Sequence, residues 1–120
     1  VILVEGIFDS IRIDNLLHLY EIDDIKCCFT FGNNIGQGQI DELVRRGVKN
    51  VILMYDYGTI NESKDAALKI RDRFDSVQVA AIRRSGVDPG NITLDYLNEI
   101  LDGLVDPISY FCDKLERRYD

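Results

Sequence analysis

Val1-Ile2-Leu3-Val4 is an unbroken apolar run that stops at Glu5-Gly6, and this junction constrains the fold more than any other stretch of the chain. Apolar residues without alternation mark a strand covered on both faces, as in a parallel sheet. Gly6 permits a sharp turn or a close backbone approach, and Ile7 onward reads as helix. In open α/β sheets, ligands bind outside the carboxyl ends of the strands. Glu5 is therefore a candidate site residue. The alternative is an acid that caps or is solvated at a helix start, where negative charge is favoured.

The same pattern recurs along the chain. Lys26-Cys27-Cys28-Phe29-Thr30-Phe31 reads as a second strand closed by Gly32, Val51 to Tyr55 as a third running into Asp56, and Val77 to Ile82 as a fourth. The fourth leads through Arg83 and Arg84 into the turn-rich loop Ser85-Gly86-Val87-Asp88-Pro89-Gly90. Helical spacing fills the intervals. It predicts a helix from Ile7 to about Tyr20 with Ile13, Leu16, Leu17 and Tyr20 inward, and a second with Ile40, Leu43 and Val44 inward, closed by Gly47. A third places Ala66, Ala67, Ile70 and Phe74 inward. Leu94, Leu97, Leu101 and Leu104 line one face of a further helix, and Asp106-Pro107 is a good start for a last one carrying Ile108, Phe111, Cys112 and Leu115. The order βαβαβαβ with a helical tail implies an α/β, Rossmann-like fold: a parallel sheet of about four strands, right-handed crossovers and helices on its faces.

A chain of 120 residues is one domain. It has no run of eighteen apolar residues to span a membrane. No signal peptide is visible, so a cytoplasmic location is expected. The first residue is not Met and lies inside an apparent core strand, which predicts a piece of a longer polypeptide. Cys27, Cys28 and Cys112 lack metal-ligand spacing, and strand neighbours face opposite ways, so buried free thiols are expected. His18 reads as an ordinary helix residue. A formal net charge of −7 argues against a broad, salt-driven grip on nucleic acid by this domain, yet a site for divalent cations has to be acidic.

Glu5, Asp56 and Asp88 follow three different strands of a parallel sheet, so all three should meet on one edge. Clustered carboxylates repel one another unless a proton or cation lies between them. With hard oxygen ligands the matching ion is Mg²⁺ or Mn²⁺, and such an ion stabilises an in-line displacement at phosphorus. Phosphoryl or nucleotidyl chemistry is the class implied. The glycines of the Gly32 to Gly38 loop match neither G-x-G-x-x-G nor a Walker motif, but the loop lies on the same edge and could offer N–H groups to phosphate. Arg83 and Arg84 leave the fourth strand there as candidate phosphate contacts. Arg45, Arg46 and Lys49 end the second helix, where cations complement the dipole.

Glu5-Gly6-x-x-Asp9 after one strand, Asp56 after another and Gly86-x-Asp88-Pro89 after the last resemble the TOPRIM domain of bacterial and phage DNA primases. Val-Glu-Gly-Ile-Phe-Asp-Ser-Ile is similar to its first motif and Ser-Gly-Val-Asp-Pro-Gly-Asn to its third. The resemblance covers residues 1–91, with 92–120 a helical extension of the same domain. It implies a Mg²⁺- or Mn²⁺-dependent site: Glu5 and Asp56 catalytic and, with Asp88, metal-binding, and Asp9 supporting. It further implies RNA primer synthesis by a parent protein, whose upstream catalytic subdomain would meet nucleic acid and nucleotides. The isolated domain is expected to bind the ion weakly and to make no primers. One departure stands out: Gly58 occupies the place of the second aspartate of the family's Asp-x-Asp. Glu62, or Asp65, is a candidate substitute. The alternatives are a nuclease or topoisomerase-type TOPRIM domain, a degenerate non-catalytic module and, more distantly, a receiver domain that accepts phosphate on Asp56.

Overall fold

A four-stranded parallel sheet in the order β2-β1-β3-β4 forms the centre of the molecule. The computed structural model describes residues 1–30, 35–58 and 60–104. Within them run β1 (Ile2–Val4), α1 (Ile7–Leu17), β2 (Cys27–Phe29), α2 (Gln37–Arg45), β3 (Asn50–Leu53), α3 (Ile60–Ile70), β4 (Ser76–Val79) and α4 (Leu94–Asp102). Gly32, Cys112 and the helix expected after Asp106-Pro107 lie outside the described residues. Among the described residues no helix is long and apolar enough to cross a membrane.

Strand pairing follows from β1. Ile2 faces Cys27 on one side and Ile52 on the other, and Asn50 to Leu53 pair with Ser76 to Val79. Successive strand residues point to opposite faces, and the two halves of the core divide accordingly. Leu3, Val51, Leu53, Val77 and Val79 pack with Ile40 and Leu43 of α2 and Ala67 and Ile70 of α3. Ile2, Val4, Met54, Ala80 and Ile82 pack with Ile13 of α1 and Tyr96, Leu97 and Ile100 of α4. α4 is thus part of the same core as β1.

This division fixes where a ligand can lie. The chain leaves β1 for β2 by α1 on one face, and leaves β3 for β4 by α3 on the other. Right-handed crossovers running in opposite directions along the sheet have to take opposite faces. Beyond the ends of β1 and β3 the two connections part, and the crevice between them is the topological switch point at which α/β sheets bind ligands.

Several expected elements are shorter than their sequence patterns. His18 takes a left-handed conformation (φ 52°) and ends α1 at Leu17, with its ring nitrogen 2.9 Å from the Tyr20 hydroxyl. Tyr20 therefore falls off the inward stripe and is 68% exposed, while Leu19 is buried in its place. Val44, expected inward on α2, is exposed, because Ile40 and Leu43 already complete the buried stripe of this nine-residue helix. On α4 the buried face is Tyr96, Leu97 and Ile100; Leu94 lies in the first turn and is exposed. Cys27 and Cys28 are free thiols, half-buried rather than buried. Desolvation of Cys27 still pushes its thiol up to about 12.

Candidate cation site at the strand ends

The end of β1 delivers Glu5 one residue past Val4, and the end of β3 delivers Asp56 three residues past Leu53. Met54 remains tied to β1 through its N–H to the Leu3 carbonyl, at 2.8 Å, so both acids stay in register on neighbouring strands. Their proximity is direct: the Asp56 N–H points to Glu5 Oε1 at 3.4 Å. Both side chains are half-buried. The Tyr55 ring is buried just before Asp56; desolvation raises its phenol, and the charge of Glu5 raises it further.

Asp9 and Asp88 arrive from different directions. Asp9 is the third residue of α1, and its Oδ2 accepts the Gly6 N–H at 3.2 Å, closing a helix start that has no capping side chain of its own. The backbone N–H of Gly90 lies near enough to this carboxylate to favour its charged form. Asp88 lies nine residues beyond β4 and returns to the edge in a folded loop. Its N–H donates to Asn91 Oδ1 at 2.8 Å, the Asn91 N–H donates back to Asp88 Oδ1 at 3.0 Å, and Asn91 Nδ2 donates to the Gly86 carbonyl at 2.9 Å. Gly86 turns the chain with φ 79°, a conformation that favours glycine. The two carboxylates converge over Gly90. A Cβ there would stand 2.8 Å from Asp9 Oδ1 and 3.0 Å from Asp88 Oδ1, so only glycine leaves them where they are.

The charges of these groups reach one another. Desolvation, followed by the charges of Glu5, Asp9 and Asp88, raises the Asp56 carboxyl from an ordinary 3.8 to about 6. Asp9 is raised as well, first by burial, against the pull of the Gly6 N–H and with a further push from Asp88. A carboxylate raised by burial and by neighbouring negative charge is an oxygen donor with a deficit of positive charge around it.

Among the described residues, no three Asp, Glu, His or Cys side chains form a group that could hold one metal ion. The donors form two pairs instead, Glu5 with Asp56 and Asp9 with Asp88. All their oxygens are hard, and Mg²⁺ characteristically takes one or two carboxylates and completes its shell with water and substrate phosphate. A cradle of this kind suits that ion and suits Zn²⁺ poorly.

The other expected site residues are more dispersed. Glu62 and Asp65 are exposed on α3, Glu62 in its first turn. Arg83 is exposed, and its N–H is held by the Tyr96 hydroxyl at 2.9 Å. The Arg84 guanidinium lies 4.0 Å over the Tyr96 ring and 3.3 Å from Glu99, which binds it to α4. Gly58 has φ 86°.

Three residues with a part in building the edge escaped the sequence: Asn91, Tyr96 and Arg12, whose guanidinium donates to the Ile92 carbonyl. Asp88-Pro89-Gly90-Asn91 contains the signal for the first, since Asp and Asn side chains close turns on their own backbone. Arg12 follows Asp9 by three residues and so shares its helix face.

No protein-family model matches the chain, and no curated protein matches it. Among solved structures it is similar to the crystal structure of the Aquifex aeolicus primase, zinc-binding and RNA polymerase domains, with a TM-score of 0.60 and 22% identity. The match takes in 88% of this chain and 26% of that one. The chain therefore shares its fold with about a quarter of that primase fragment.

Proposed function

We propose that this chain is a TOPRIM domain of a DNA primase-like protein, and that Glu5 and Asp56 hold a Mg²⁺ or Mn²⁺ ion serving nucleotidyl transfer, with the charge of Asp88 close by. The observation that carries the proposal is the meeting of Glu5 and Asp56 at the topological switch point, where burial and then the charges of Glu5, Asp9 and Asp88 raise the Asp56 carboxyl. The fold shared with part of a primase structure supports the class of parent protein.

A bound ion would supply charge stabilisation for a phosphate undergoing in-line displacement. The protein's own part is positional. Glu5 and Asp56 follow two hydrogen-bonded strands, and the Asn91 clamp fixes the turn that carries Asp88. Asp9 has the different task of closing α1 and lining the Gly90 turn. Arg83 is the arginine we propose for phosphate contact, because Arg84 is engaged by Tyr96 and Glu99. Nucleic acid, nucleotides and a catalytic subdomain upstream are the partners proposed for the parent protein.

The test is RNA primer synthesis on single-stranded template by the parent protein and by its Glu5→Gln and Asp56→Asn variants. Synthesis that needs Mg²⁺ or Mn²⁺ and falls by at least about a hundredfold in each variant supports the proposal. Unimpaired synthesis in the variants contradicts it. Metal-dependent nicking of DNA in place of synthesis would assign the domain to a nuclease.

A further inference from the structure

We infer that Arg12 is a positioning residue for the cation site, holding Asp88 in reach of Asp56 by clamping the backbone two residues beyond Gly90; this rests on the cation-site proposal above. The loop from Ala80 to Thr93 contains no helix or strand, so Asp88 depends on contacts for its place. The face of α1 that looks at the loop supplies two of them. Asp9 lies against Gly90, where an added Cβ would stand 2.8 Å from its Oδ1. Three residues on, Arg12 donates both Nε and Nη2 to the Ile92 carbonyl, at 3.3 Å and 3.1 Å. The two grips lie on either side of Asn91, the residue that exchanges hydrogen bonds with Asp88. Ile92 itself is fully buried, so the clamped carbonyl is anchored from below.

Charge gives the two grips different meanings. Asp9 lies against the loop, but its carboxylate shares the space over Gly90 with that of Asp88 and repels it. Arg12 holds the same loop with a guanidinium and brings no repulsion. Its fixed fork allows two donors to reach one acceptor, which a lysine ammonium on a flexible stem does not reproduce. The position of Asp88 relative to Glu5 and Asp56 is thereby set from α1, the helix that opens immediately after Glu5.

The experiment compares ¹⁵N-labelled wild type, Arg12→Gln and Arg12→Lys by Mn²⁺-induced broadening and by amide exchange. Wild type should broaden at Glu5, Asp56 and Asp88. Arg12→Gln should keep the broadening at Glu5 and Asp56, lose most of that at Asp88 even at saturating Mn²⁺ as the loop moves away, and exchange the Asn91 amide about tenfold faster, the effect of losing a charged hydrogen bond. Arg12→Lys should fall between the two. Faster exchange in Arg12→Gln with an unchanged Mn²⁺ response would make Arg12 merely structural and overturn the inference. So would an Arg12→Lys variant indistinguishable from wild type in both readouts, which also covers the case of an Arg12→Gln variant that does not fold. A wild type without any Mn²⁺ response defeats the cation site itself, and the inference with it.

Discussion

Replacing Asp56 by Asn removes a charge that the fold has to tolerate and leaves a side chain of the same shape. The carboxyl rises from 3.8 to about 6, a little over two pK units at about 1.4 kcal/mol each, so an upper bound of about 3 kcal/mol opposes its ionisation in the folded state. Because the group is only partly buried, solvent screening reduces this to about 1 kcal/mol. The folded state holds its proton more tightly than the unfolded state does. Stability is therefore lost as pH rises from about 4 to about 6, and the penalty is complete above that. At pH 7.5 the Asp56→Asn variant should melt about 4 °C higher than wild type, and near pH 3.5 the difference should vanish. Adding Mg²⁺ at pH 7.5 should narrow the gap by stabilising wild type alone. Thermal unfolding followed by circular dichroism across this pH range checks all three. A variant that melts at or below wild type at pH 7.5, or one that gains equally at pH 3.5, would refute the reasoning.

Gly90→Ala should push Asp9 and Asp88 apart, since its Cβ would meet oxygens of both within 3.0 Å. The Asp88 oxygen is held by the Asn91 N–H and the other oxygen of Asp9 by the Gly6 N–H, so relief costs about 1–2 kcal/mol, read as a lowered Tm together with a weakened Mn²⁺ response at Asp88. Thr93→Ala removes the hydroxyl that accepts the Tyr96 N–H at 3.3 Å and caps α4. The loss is about 1 kcal/mol, or about 4 °C in Tm, with the Mn²⁺ response at Glu5 and Asp56 kept.

The parallel sheet was legible because the central strands β1 and β3 carry unbroken apolar runs that end at a carboxylate, while the edge strands β2 and β4 are half-buried or alternate and are marked by their β-forming residues. The shared edge followed from parallel order alone, and Glu5 and Asp56 do meet there. Helix faces were less legible. A left-handed His18 has no strong signature, since any residue but glycine is disfavoured there, and it removed Tyr20 from the stripe. On α4, counting only leucines hid the buried Tyr96. Asp88 shows the limit of strand-end reasoning. It stands nine residues past β4, and tertiary contacts from Asp9, Arg12 and Asn91, distributed over eighty residues of sequence, bring its loop back to the edge.

The central claim is that the acids at the ends of β1 and β3 bind a hard divalent cation. Titrating the ¹⁵N-labelled chain with Mn²⁺, alongside Glu5→Gln and Asp56→Asn, measures this directly. Saturable broadening centred on Glu5, Asp56 and Asp88, displaced by Mg²⁺ and lost in both variants, is the predicted result. Broadening spread over the surface carboxylates, or centred on Glu42 and Asp41 of α2, with no preference for the strand ends, would contradict it.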